Sequence, residues 1–305
     1  MQNLNKIEFV RPELVHLVEN FTVFDLHFHS KYSDGMSSVD KIAARARALN
    51  IGIAITDHNE IRGSVEINKM KDILTIPGIE VTSSEGTHLL VYFYDISGLK
   101  HFFKRDVRPF MGSGVMSSLG LSMEELIERA RRYPALVAFP HPYCTAYTGI
   151  CNIRFPKERF DRLCQAVDAI EVINASNLNK WNLKCALLAF NFNKSLLGGS
   201  DGHSVAQMGR AVTYATCNKT RDAFMEAIFK GHTRVIGKEI DILRKVTSNG
   251  LKLKTNIVNY PDLLEKNLKY SCAMINLQSK KICNRVRQHF HQRMRKCRMG
   301  GNLGV

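Results

Sequence analysis

The chain has 305 residues, 45% of them hydrophobic, enough for one large core with an appendage. It has no apolar run of eighteen residues, no N-terminal apolar signal region and no small-residue cleavage site, so the expectation is a cytoplasmic protein without a transmembrane segment. Eight scattered cysteines with no C-x-x-C pair exclude a zinc ribbon or a disulfide framework, and the net charge of +15 is uneven: fifteen Lys and Arg face only four acids between Lys238 and Arg298.

After an N-terminal segment (1–20), TVFDLHF (22–28) reads as a strand that delivers His27 and His29 into a turn holding Ser33, Asp34 and Gly35. A helix over 39–49 follows, with Ile42, Ala46 and Leu49 on one face. The next strand, IGIAIT (51–56), ends in Asp57 and His58; LTIPGIEV (74–81) brings Glu80, and THLLVYFY (87–94) carries His88 near its start. Residues 100–122, rich in Gly, Ser and basic side chains, read as a long loop. Ser122 and Glu125 form a capping box for a helix over 123–132.

The strand ALVAFPH (135–141) ends in His141, and a helix over 157–165 leads to DAIEVI (168–173), which contains Glu171 and precedes Asn174. A helix over 178–190 precedes SLLGGSD (195–201), with Asp201 and then His203 at its end. Strand-like TRVIG (233–237) closes the body. The expected domains are therefore a segment 1–20, a catalytic body 21–237 and a basic, mostly helical extension 238–305. Strands too apolar to be one-sided, alternating with helices, imply an α/β fold with a mostly parallel sheet, and about seven strands suit a barrel.

In such a barrel the strand ends share one mouth, and six of the eleven histidines sit there. Singly, these residues have bland readings: H-x-H as a surface pair, His88 as a core histidine, Asp34 as a turn residue, Asp57 as a helix cap. Jointly they would place imidazoles and carboxylates from five strands in one crowded place, which is costly unless something pairs them. Zinc, manganese and iron accept these ligands, and the H-x-H spacing follows from side chains repeating every second residue along a strand.

The order H-x-H-S, S-D-G, T-D-H-N, G-I-E, a histidine on the next strand, H-P, E-V-x-N and G-S-D-x-H resembles the PHP (polymerase and histidinol phosphatase) family from about Thr22 to Gly237. The resemblance implies a distorted seven-stranded, TIM-like β/α barrel with three divalent ions per chain. One ion would be held by His27, His29, Glu80 and Asp201, a second by Glu80, His88 and His141, and a third by Asp34, His58 and His203. It also implies a phosphoesterase acting on a phosphomonoester or nucleotide, with Glu80, Asp201 and His141 at the catalytic centre and attack by a hydroxide bridging two ions. Lys31, Arg62 and Arg210, which follow the ligand motifs, are candidates for binding the phosphoryl oxygens, with solvated surface charge as the competing reading. Two other classes stand beside this one: an amidohydrolase-type C–N hydrolase, and an inert barrel whose tail binds a partner. Residues 280–298 carry eight Lys or Arg, no acid and an apolar stripe of Ile282, Val286, Phe290 and Met294. The stripe either packs back on the barrel, which is the preferred reading, or lies on nucleic acid or an anionic membrane.

Overall fold

The computed structural model describes residues 4–144, 146, 148–153 and 155–239. The expected extension 238–305 with its basic helix, and cysteines 272, 283 and 297, fall almost wholly outside the described residues. The elements run β1 (Ile7–Glu8), α1 (Leu14–Asn20), β2 (Thr22–Phe28), α2 (Val39–Leu49), β3 (Gly52–Ile55), α3 (Arg62–Ile67), β4 (Gly78–Thr82), β5 (His88–Phe93) and α4 (Ile96–Phe102). They continue with α5 (Met123–Ala130), β6 (Ala135–Phe139), α6 (Lys157–Ala166), β7 (Ala169–Asn174), α7 (Asn179–Asn191), β8 (Ser195–Gly199), β9 (Ala211–Ala215), α8 (Arg221–Phe229) and β10 (Arg234–Gly237).

The strands form two mixed sheets of five, ordered β1-β10-β9-β2-β3 and β4-β5-β6-β7-β8, and not the closed seven-stranded β/α barrel that the sequence suggests. Two local causes are visible. Between β4 and β5 the chain turns within Ser83–Thr87, where Ser83 and Gly86 close a tight reversal with Gly86 at φ 83°, so β5 returns antiparallel and no helix crosses over. On the other sheet, β9 inserts antiparallel between β2 and β10, using the short segment AVTYA, which carries no motif. The two sheets touch through isolated bridges: Phe28 with Gly202 at one seam, Ile53 with Thr75 and His58 with Glu80 at the other.

All seven residues of β2 and all six of β7 are buried, as expected of strands covered on both faces. The helix α2 buries Val39, Ile42, Ala43 and Ala46 against Ile53 and Ile55, and ends on Asn50 in the left-handed conformation (φ 53°). The capping box of Ser122 and Glu125 is present at the start of α5. The stretch expected as a long loop is irregular only in its second half. Its first half continues from α4 through a π-helical turn over Phe103–Val107 and a 3-10 turn over Arg108–Phe110. Phe102 and Val107 are fully buried there, and buried Asp106 accepts from Arg129 (3.1 Å) and Tyr133 (2.7 Å). Burial of a side chain such as Phe102 stabilises by about 2–3 kcal/mol, which outweighs the polar look of the flanking residues. The five cysteines of the described residues are free, and no helix there is long and apolar enough to cross a membrane.

Candidate metal centre

His27 and His29 project from the same side of β2, as the period-two repeat requires, and their Nε2 atoms lie 3.2 Å apart. The turn beyond them is shaped by Asp57, whose carboxylate accepts from Ser30 N–H (2.7 Å), Ser30 Oγ (2.6 Å) and Ser33 Oγ (2.7 Å). Gly35 allows the turn to fold flat on the strand end, because a Cβ at that position would sit 2.3 Å from the His29 carbonyl oxygen. Asp34 is thereby carried back toward the two rings, with His29 Nδ1 3.6 Å from its Oδ1.

Glu80 is the hub. Its Oε1 lies 2.9 Å from His88 Nδ1 and 3.3 Å from His141 Nε2; its Oε2 lies 3.1 Å from His58 Nδ1, 3.4 Å from His27 Nε2 and 3.5 Å from His29 Nε2. Asp201 Oδ1 is 3.1 Å from His29 Nε2 and 3.6 Å from His27 Nε2, and Asp34 Oδ2 is 3.0 Å from His203 Nε2 and 3.8 Å from His58 Nε2. Side chains from all nine expected positions therefore meet at one place. His141 and Asp201 reach it from backbones at φ 31° and 48°, and Asn59, next to His58, is at φ 45°. Such conformations cost about 1–3 kcal/mol each and cluster at functional sites.

These atoms fit divalent ions. Ligand atoms of His27, His29 and Asp201 lie within 4.8 Å of one another, as do those of His27, Glu80 and His141, of His29, Asp34 and His203, and of His29, His58 and Glu80. Five imidazoles crowd a single carboxylate, and the buried Nδ1 atoms of His29 and His58 make no well-aligned hydrogen bond among the described residues although carboxylate oxygens are near. A cation resolves such a surplus of buried lone pairs. The groups overlap: His58 gathers with His29 and Glu80 and also lies near Asp34, and His27 gathers with Glu80 and His141 as well as with His29 and Asp201.

The electrostatics follow from crowding. Burial opposes charging His27, yet Glu171, Asp201 and Glu80 around it hold its pKa well above the ordinary value; His141 is raised well above it too, against burial, with Cys144 and Glu80 beside it. Burial would lift Glu80, but His88 and His27 around it, with a hydrogen bond to His141, hold it well below the usual carboxylate range, and His27 and His29 do the same for Asp201. His58 is pushed down to about 3 by burial and is neutral.

Several residues outside the nine support the cluster. Glu171 Oε1 is 3.0 Å from His27 Nδ1, and its Oε2 accepts from His141 N–H (2.8 Å) and Asn174 Nδ2 (2.9 Å); Asn174 Nδ2 also reaches Asp201 Oδ2 (3.3 Å). The sequence places Glu171 and Asn174, the first and last residues of E-V-x-N, at the end of a strand but assigns them no task; a carboxylate three residues ahead of a strand-end asparagine is the signal it carries. Asn59 donates from Nδ2 to the carbonyls of Val115 and Ser117, both at 2.8 Å, and so pins the 111–121 loop beside the centre. Of the candidate substrate cations, Lys31 is exposed and 5.5 Å from the Tyr32 ring centroid. Arg62 pairs with Glu60 at 2.7 Å and lies over the same ring, and half-buried Arg210 sits in the turn before β9, where its N–H donates to the Gln207 carbonyl.

Residues 25–168 match the model of the PHP domain, and residues 179–233 match that of the PHP-associated region. A relative from Methanocaldococcus jannaschii, the uncharacterized protein MJ1587, is 32% identical over 167 residues, which is 50% of this chain and 81% of the relative. The chain belongs to the PHP domain family. Its fold is similar to that of a two-domain protein of Bacteroides vulgatus containing a predicted PHP-like metal-dependent phosphoesterase (18% identity, TM-score 0.52, covering 80% of this chain and 73% of the other). It is also similar to the lesion-specific endonuclease PfuEndoQ of Pyrococcus furiosus (21% identity, TM-score 0.57, covering 70% and 57%). At these identities the likeness to the two solved structures is one of fold.

Proposed function

We propose that this chain is a hydrolase of phosphoric esters that works with divalent metal ions, and that residues 21–237 carry the activity. The observation behind this reading is Glu80, buried and within 3.5 Å of five imidazoles, with Asp34 and Asp201 completing four overlapping groups of possible ligands; three ions is the count that we propose. The nine ligands would be His27, His29, Asp34, His58, Glu80, His88, His141, Asp201 and His203, and their mixed nitrogen and oxygen set suits zinc, manganese or iron. When bound, such ions supply an activated water and neutralise phosphoryl oxygens.

The chain's own residues prepare that chemistry. Glu171 accepts at His27 Nδ1, which fixes the ring and turns its Nε2 lone pair toward the centre. The same carboxylate holds the His141 backbone, and Asn174 steadies Asp201. Lys31, exposed and two residues beyond His29, is the candidate to meet an arriving phosphate. The family match and a structural neighbour containing a predicted PHP-like metal-dependent phosphoesterase agree with this reading, and the endonuclease neighbour extends it to phosphodiesters. The third carboxylate, Asp34 with His203, sets it against a C–N hydrolase with fewer ions.

The test is direct. Purified protein loaded with zinc, manganese or iron should hold close to three ions per chain and release phosphate from a phosphomonoester panel. Asp201→Ala and His58→Ala should each abolish release while leaving the circular dichroism spectrum unchanged. Full activity in both variants would refute the assignment.

A further inference from the structure

Two aromatic rings, one of them two residues beyond His141, are arranged unlike Tyr133 and its neighbours. Within the core, Tyr133 meets Phe93 and Phe102 edge-on, at 73° and 81°. Tyr143 and Trp181 instead lie within 7° of parallel, with centroids 6.4 Å apart, and both are half-buried. Exposed Lys184 holds its Nζ 4.7 Å from the Trp181 centroid and 5.5 Å from that of Tyr143, and exposed Lys180 is 5.2 Å from Trp181. The buried Trp181 Nε1 donates to nothing among the described residues. Parallel ring faces with ammonium groups over them attract a flat, anionic molecule, and stacking on such faces is how proteins hold nucleobases without reading their sequence.

The position ties this patch to the chemistry. Tyr143 is two residues beyond His141, so the two Cα atoms are within about 7 Å. The Tyr143 carbonyl accepts from Asn177 Nδ2 (2.6 Å), and its N–H faces Cys185 Sγ on α7 (3.4 Å). Ser176, next to Asn177, donates from Oγ toward the carbonyls of Asp201 (3.0 Å) and Ser200 (3.2 Å). One connecting segment, between β7 and α7, thus braces both the turn that carries Asp201 and the two rings.

We propose that Tyr143, Trp181 and Lys184 form a base-stacking platform that makes a nucleotide, free or at a strand end, the preferred substrate over a phosphomonoester lacking a base. The proposal rests on the phosphoesterase reading for its phosphate half. The base lies against the rings, Lys184 moves from the ring faces to the phosphate or ribose oxygens, and the phosphoryl group enters the centre lined by Glu80 and Asp201.

Trp181 is the sole tryptophan of the chain, which makes its emission a direct reporter. The full-length protein is titrated with AMP, with a 5′-phosphorylated trinucleotide and with ribose 5-phosphate, and emission is read after inner-filter correction. Quenching by either base-containing ligand, and none by ribose 5-phosphate, is expected; which of the two binds more tightly distinguishes a free nucleotide from a strand end. The ratio of kcat/KM for AMP to that for ribose 5-phosphate should fall about tenfold or more in Trp181→Leu, as loss of one stacking face implies, and by less in Lys184→Ala, an exposed helical position whose replacement spares the fold. Quenching without hydrolysis of any ligand supports the platform and refutes the hydrolase reading. Hydrolysis of AMP and ribose 5-phosphate with equal kcat/KM, unchanged ratios in both variants and no quenching refutes the platform and leaves the hydrolase reading standing.

Discussion

The two sheets make unequal contributions to one centre. The β1-β10-β9-β2-β3 sheet supplies His27, His29 and His58 with Asp34 as their one clustered carboxylate, whereas the β4-β5-β6-β7-β8 sheet supplies His88, His141 and His203 along with Glu80, Glu171 and Asp201. The balance is made across the gap: Glu80 and Asp201 of the second sheet face the imidazoles of the first, and the seam itself includes the His58–Glu80 bridge. Neither sheet alone presents a complete set of ligands, so the centre exists only when both are docked.

The sharpest way to break that dependence is Glu80→Ala, which removes the group shared by five rings. Metal content measured by elemental analysis should drop by at least one ion per chain, and phosphate release should fall by about 10⁴-fold or more, since a group that acts within a unit takes the unit with it. Glu171→Ala leaves the nine ligands in place but frees His27 Nδ1 and the His141 backbone; a loss of about 10- to 100-fold in metal affinity is expected, measured by competition with a chromogenic chelator.

Acidity sharpens the comparison further. Protons sit more tightly on His27, His29 and His141 than on an ordinary imidazole, so ions must displace them, and apparent affinity falls as pH drops through and below neutrality by about tenfold per unit for each proton displaced. His58, already neutral, adds nothing to this dependence. Calorimetry in buffers of different ionisation enthalpy should show proton release on loading at pH 7, with less release as the pH is raised. The smallest effect is expected at Asn59→Ala, where two hydrogen bonds to the 111–121 loop are lost and alanine must adopt φ 45°. A destabilisation of about 3 kcal/mol, read as a lower Tm, should accompany faster hydrogen exchange in that loop with the metal count retained.

Much of the centre is legible in the sequence because strand geometry writes it there. His27 and His29 are two apart since alternate side chains share a face, and the other clustered residues end or follow an apolar run, except His88, which opens β5. The architecture is less legible. Parallel and antiparallel strands look alike when both are buried, so the direction of β5 depends on a five-residue turn, and β9 has only the composition AVTYA to announce it. The supporting contacts are harder still. Asp57 has the look of a helix cap, yet its partners Ser30 and Ser33 are more than twenty residues away, and Glu171 reaches His27 across 144 positions. Long-range pairing of this kind leaves no local period to read.

His141 and Asp201, bent into left-handed conformations at the ends of β6 and β8, carry a lesson for anyone wishing to transplant this site. Ideal strands on a designed scaffold would aim the same two side chains elsewhere, however faithfully the amino-acid types were copied. A successful graft has to import the kinked loops along with the residues, and the recipient must be robust enough to tolerate them.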